Sequence, residues 1–196
     1  MTILCDDAGW GSIIGGVLIA AYRPETTEFH VSEVPVEQFQ GLAFARKDYL
    51  DGAVTAALAS LEALHADQRD PITICSGFIH EKTRALLTSY GRSVTVAKIT
   101  GPFQELIEKE LLAYLNRLGF PYRGSTEDYG KLFWESVKWL KGGNPNRCGM
   151  VPERVKLAKT GWETFQFYQE HPYAEAARLA KAFKARKKRE RFANAF

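Results

Sequence analysis

Residues 2–21, TILCDDAGWGSIIGGVLIAA, constrain the fold more than any other part of the chain. Ile3, Leu4 and Cys5 form an unbroken apolar run, the pattern of a short strand covered on both faces. The run stops at two adjacent carboxylates, Asp6 and Asp7. Ala8-Gly9-Trp10-Gly11-Ser12 then supplies mostly small residues that turn tightly without a side-chain clash. Residues 13–22 are strand-like again, and Gly15-Gly16 allows a bulge or a close backbone approach there. After the turn Arg23-Pro24-Glu25, residues 28–34 give a third β run. The unit predicts an antiparallel meander whose first strand delivers paired acids to a glycine-rich bend.

Residues 36–44 read as a connection anchored by Phe39 and Phe44. The first clear helix is predicted over 46–66, where Tyr49, Ala53, Ala56, Ala57, Leu58, Leu61 and Leu64 make a helical apolar stripe. Strands are expected at 72–75 and 93–99, and helices at 81–90 and 103–118. Gly101-Pro102 opens the last of these and Gly119 closes it. A meander followed by strand–helix crossovers predicts an α/β fold with a mixed five-stranded sheet flanked by helices, since such crossovers leave strands parallel. This core is expected to span 1–120. Residues 121–196 predict a helical extension: a linker to Asp128, an aromatic helix over 129–141, a loop at 142–147 and a long helix from 164, restarted at Pro172.

No apolar run approaches the ~20 residues of a membrane span, so no membrane partner is expected. Cys5, Cys75 and Cys148 are odd in number and widely spaced, with no CxxC, which predicts reduced thiols and a cytoplasmic setting. The net charge of +3 hides an asymmetry. Residues 172–196 hold eight Lys/Arg and two acids, a balance of +6, so residues 1–171 sum to −3. The body is mildly acidic and the tail is basic. The oligomeric state leaves no trace in the sequence.

Paired acids at a strand end can cap a turn, or they can ligate a divalent cation through hard oxygens. The adjoining glycine bend leaves room for a phosphate beside such a cation, and Mg²⁺ or Mn²⁺ is the expected cofactor. Asp48 and Asp51, in the first turns of the 46–66 helix, complement its positive end. Glu105 and Glu108 share a helix face and read as solvated. Lys156, Lys159 and Trp162 pair charge with an aromatic, as a nucleic-acid backbone and base require, or pack as surface residues. The cluster Lys184, Arg186, Lys187, Lys188, Arg189 and Arg191 is a solvated terminus or a set of phosphate contacts. Gly142, Gly143 and Arg147 read as a plain turn or a phosphate receiver. His30, His65, His80 and His171 show no ligand spacing.

Asp6-Asp7-Ala8-Gly9-Trp10-Gly11, followed by Gly15-Gly16 and an apolar second strand, resembles the opening of type 2 ribonucleases H, whose first strand ends in Asp-Glu-Ala-Gly-Arg-Gly. More broadly the chain is similar to the ribonuclease H-like fold, closely over about twenty residues and by element order to about residue 120. The resemblance implies a Mg²⁺- or Mn²⁺-dependent nuclease acting on RNA, DNA or hybrid. Asp6 and Asp7 would hold metal, and a helix acid would complete the set: Glu105, preferred as nearer the strand end, or Glu108, Asp48 or Asp51. Gly9, Trp10 and Gly11 would lie against nucleic acid. Asp7 replaces the family's Glu, and Trp10 replaces an Arg that helps read the ribonucleotide. Ser76-Gly77 and Gly101-Pro102 stand where the family has further acids. The alternative is a relative that binds nucleic acid or a protein without cleaving it.

Overall fold

The computed structural model describes residues 1–126 and 128–193, with side chains to residue 190. Strands β1 (Ile3–Ala8), β2 (Val17–Arg23) and β3 (Glu28–Val34) form the expected antiparallel meander. The parallel strands β4 (Ile72–Cys75) and β5 (Val94–Ala97) extend the sheet on the other side of β1. The order is β3-β2-β1-β4-β5, so the acid-bearing strand is central. The fold is α/β, with a mixed five-stranded sheet and helices on both faces.

A 3-10 turn (Val36–Phe39) and the short helix α1 (Gly41–Arg46) occupy what reads in sequence as a plain connection. Helix α2 (Asp48–Ala63) then buries Tyr49, Leu50, Ala53, Ala56, Ala57 and Leu61. A second 3-10 turn (Phe78–His80) links β4 to α3 (Glu81–Ser89), and α4 (Pro102–Arg117) follows β5. The remainder is α5 (Tyr129–Leu140), a short α6 (Pro152–Val155), α7 (Phe165–Glu170) and the basic α8 (Tyr173–Ala193). Among the described residues no helix is long and apolar enough to cross a membrane.

Alternation along β1 sends Ile3, Cys5 and Asp7 to one face and Leu4, Asp6 and Ala8 to the other. The first face packs on α2 and α3 through Leu61, Leu64 and Leu87. The second packs on α4 through Phe103, Ile107 and Leu111, and this core continues without a break into Leu132, Val137, Ala158, Phe165 and Ala176 of the extension. Residues 13–16 do not extend β2. Instead Ile14 bridges Ala158, Gly15 N–H donates to Leu157 O (2.8 Å) and Lys159 N–H donates to Ile13 O (2.9 Å). The extension thus holds the bend that follows the two acids.

Candidate metal centre

Asp6 and Asp7 lie near the carboxyl end of β1, opposite Ala20 and Ile19 of β2. Their side chains leave on opposite faces, yet both reach one point beyond the sheet. There they meet His80, and one ligand atom from each of the three lies within 4.8 Å of the others. The expected third partner was a carboxylate; among the described residues the group that joins the pair is an imidazole. Its position depends on the β4–α3 connection. Arg84 donates to Cys75 O (2.8 Å) and Gly77 O (2.9 Å), fixing the turn that carries His80. A Cβ on Gly77 would lie 3.1 Å from Asp7 Oδ1, so glycine leaves the approach to that carboxylate open.

The electrostatics of the cluster are set by burial. Asp6 is 7% exposed, and burial pushes its carboxyl above the usual range. The Cys75 thiol and the Asp7 amide, 2.8 Å from Asp6 Oδ1, donate to it and offset part of that shift. Burial and the bond to Asp6 push the Cys75 thiol up to about 11. His80 is fully buried, with neither ring nitrogen hydrogen-bonded, and its Nε2 sits 3.4 Å from Asp7 Oδ1. A buried polar group without a partner is costly, and an ion is one explanation for it. Two carboxylates and an orphaned imidazole fit a divalent cation chemically, the imidazole suiting Mn²⁺ and later transition metals better than Mg²⁺.

Beside the acids, on the α4 side, runs a cleft of about 430 Å³ lined by Asp6, Asp7, Gly9, Trp10, Gly11, Gln104, Glu108 and Tyr129. Glu108 accepts from Gln104 Nε2 (3.0 Å) and Thr126 Oγ1 (2.8 Å). Glu105 is exposed and does not line the cleft, which corrects the preference for it. The buried stripe Phe103, Ile107 and Leu111 sets the rotation of α4 and turns Gln104 and Glu108 toward the acids. Asp48 and Asp51 lie elsewhere, with Asp48 paired to Arg46 (2.7 Å) and Asp51 to Lys82 (2.7 Å). Both line a cavity between β3 and α2 that includes none of Asp6, Asp7 and His80.

The nucleic-acid candidates divide. Gly9 has φ +94°, a conformation that strains any side chain, and a Cβ there would press on Leu111 at 3.1 Å. Trp10 packs on Phe39, Tyr49 and Phe78 while its edge lines the cleft. Lys159 cannot touch a phosphate: it is wholly buried, donates to Gly9 O and lies 5.0 Å from the Phe39 ring. Burial lowers its ammonium to about 7, against the pull of Asp7. Trp162, Lys184, Lys187 and Lys188 share a groove of about 640 Å³ with Phe44, Glu163 and Phe183. Within it Lys187 is bonded to Glu163. Arg186 pairs with Glu190 (3.5 Å), Arg189 is exposed, and the side chain of Arg191 lies outside the described residues. The amides of Gly142 and Gly143 are bonded to Trp139 O and Lys138 O, so that loop is a helix end and not a phosphate cradle.

Sequence reading missed His80 because no spacing links it to residues 6 and 7; the strand-end Ser76-Gly77 was the only local sign that a chain turn comes close. The sequence matches no protein-family model and no curated protein, so the geometry of this centre carries the functional reading.

Proposed function

We propose that this chain is a divalent-metal-dependent phosphodiester hydrolase of the ribonuclease H-like kind, acting on nucleic acid. The observation that carries the reading is the meeting of Asp6, Asp7 and an unpartnered, buried His80 at the end of the central strand, beside an open cleft. The sheet order and the acid-bearing first strand agree with the resemblance to that fold. Asp6, Asp7 and His80 would hold the cation, which when bound activates water and stabilises the leaving oxygen of an in-line attack. Glu108, oriented by Gln104 and Thr126, lines the same cleft and would be the carboxylate to take up a proton there. Trp10 and Gly11 form the wall against which the scissile strand would rest.

A second reading, binding without cleavage, is favoured by one observation: the buried Lys159 side chain, held on Gly9 O, is a basic neighbour of Asp7 supplied by the chain itself. The Asp6→Asn variant separates the two. It keeps volume and the acceptor for the Asp7 amide, while an Asn oxygen is a far poorer metal ligand. Wild type and variant are assayed on RNA, DNA and hybrid with Mg²⁺ or Mn²⁺, beside a thermal melt. The hydrolase should lose at least ~100-fold in metal-dependent cleavage with the fold intact. No cleavage by wild type, with no metal-induced rise in melting temperature, would leave the binding reading.

A further inference from the structure

The body sums to −3, yet one of its clefts is strongly cationic. Between the end of α4, α5 and α6 lies a cleft of about 580 Å³, a size typical of ligand sites. Arg123, Lys131, Lys138 and Arg154 converge on it, and among the described residues that line it Glu135 is the single carboxylate. Glu135 is only 3.9 Å from Lys138, and neither Arg123 nor Lys131 has an ion pair among the described residues. The floor is aromatic: Phe120 stacks on Tyr122 (5.8 Å) and meets Trp139 at 5.7 Å. Arg154 is held 4.6 Å over the Trp139 ring and Lys138 lies 4.8 Å over Trp134, so these charges are placed and not merely solvated.

Helix α5 links this cleft to the one beside Asp6 and Asp7. Tyr129, 64% exposed, opens α5 and lines the carboxylate cleft, and it stands 3.5 Å from where a Cβ on Gly11 would be. Lys131 and Lys138 of the same helix line the cationic cleft, about half a turn round α5 from Tyr129, so the helix stands between the two clefts and its first turn borders both. From Tyr129 to Lys138 the helix rises about 13 Å, a span of a few stacked nucleotides.

Resting on the nucleic-acid reading above, we infer that the cationic cleft binds the unpaired strand flanking the scissile phosphate, with Tyr129 as a stacking step between the clefts. Four cations suit phosphates, and the exposed face of Tyr129 suits unpaired bases, whose π-faces a duplex conceals. The sequence gives no warning of this, because the four cations are spread over 123–154 and none belongs to the basic tail.

The test is anisotropy of a short fluorescein-labelled oligothymidylate in EDTA, with the full chain. Arg123→Glu/Lys131→Glu changes two exposed side chains without ion pairs, and its fold is checked by circular dichroism. Arg69→Glu/Lys109→Glu, on exposed positions elsewhere, is the control of equal charge. The cleft pair should weaken binding at least ~10-fold and flatten the log–log salt slope by about 1.4, two contacts at ~0.7 each; the control should stay within about threefold of wild type. Tyr129→Ala should weaken binding about tenfold with an unchanged salt slope, because a stacked base carries no counterion. Equal losses from both charge pairs, or none from the cleft pair, would overturn the inference. Thymidine monophosphate should compete only at millimolar concentration; micromolar competition abolished by the cleft pair would reassign the cleft to a free nucleotide. Because EDTA removes divalent metal, the outcome does not depend on whether Asp6→Asn abolishes cleavage.

Discussion

At the scale of single residues, the centre is built at a cost to stability. Asp6 has its carboxyl raised by burial, so the unfolded chain ionises first as pH rises. Stability is therefore lost as pH climbs from about 3.9 through the folded value, and charge on Asp6 is a net burden to the fold. Asp6→Asn should melt at a higher temperature than wild type in EDTA at pH 7, with the gap narrowing toward pH 4. A lower melting temperature at pH 7 would mean that the charge itself supports the fold. Lys159 gives the opposite slope. Its folded value of about 7 lies below the ordinary ~10.4, so between those limits the unfolded state binds more protons and stability rises with pH. Urea midpoints in EDTA at pH 7 and 10 should show wild type gaining on Lys159→Met across that window; an unchanged difference would show that the ammonium is not desolvated. The acids were legible in the sequence because they are neighbours before a glycine bend. His80 and the burial of Lys159 were not, since each is set by a chain segment that only the fold brings near.

At the scale of elements, periodicity gave strand and helix identity well and gave rotation about the helix axis less well. On α4, nearness to the strand end favoured Glu105, whereas the axis rotation is fixed by which stripe the sheet buries, and that turns Glu108 inward. The Gly15-Gly16 pair was legible as a close approach, though not its partners. Tyr114 Oη accepts the Gly16 N–H (2.8 Å) and donates to Glu33, and burial with that carboxylate raises its phenol. A Cβ on Gly16 would fall 1.9 Å from Val34 O, a backbone atom that cannot swing away. Gly16→Ala should therefore cost about 3 kcal/mol or more by prising β2 from β3. Tyr114→Phe, which leaves the Gly16 amide unpaired in the core, should cost about 1–3 kcal/mol. Denaturant midpoints measure both, and a near-neutral Gly16→Ala would show that the strands separate easily at this end.

At the scale of the whole molecule, element order predicted the α/β sheet but could not tell how the extension attaches. The same core holds Ile13, Ile14 and Leu18 beside Phe120, Val137, Ala158 and Phe165, so apolar burial crosses residue 120 without interruption. The attachment is also polar: Gln40 Nε2 donates to Lys156 O and Ala158 O (2.9 Å each), and Gly161 N–H donates to Phe39 O (3.0 Å). Lys159 reaches from the extension to Gly9 O and fixes the turn next to the two acids. A fragment of residues 1–120 would expose this apolar face and leave the Gly15 amide and the Ile13 carbonyl without their partners. Each Leu, Ile or Phe so exposed forfeits about 1.5–3 kcal/mol, and a domain's whole stability is only ~5–15 kcal/mol, so a handful suffices to unfold it. The fragment should be unfolded or aggregated in circular dichroism and size exclusion, and adding residues 121–170 in the same chain should restore a cooperative melt. A 1–120 fragment that melts cooperatively would show instead that the sheet and its first helices form an independent unit, with the bend after Asp7 ordered without Lys159.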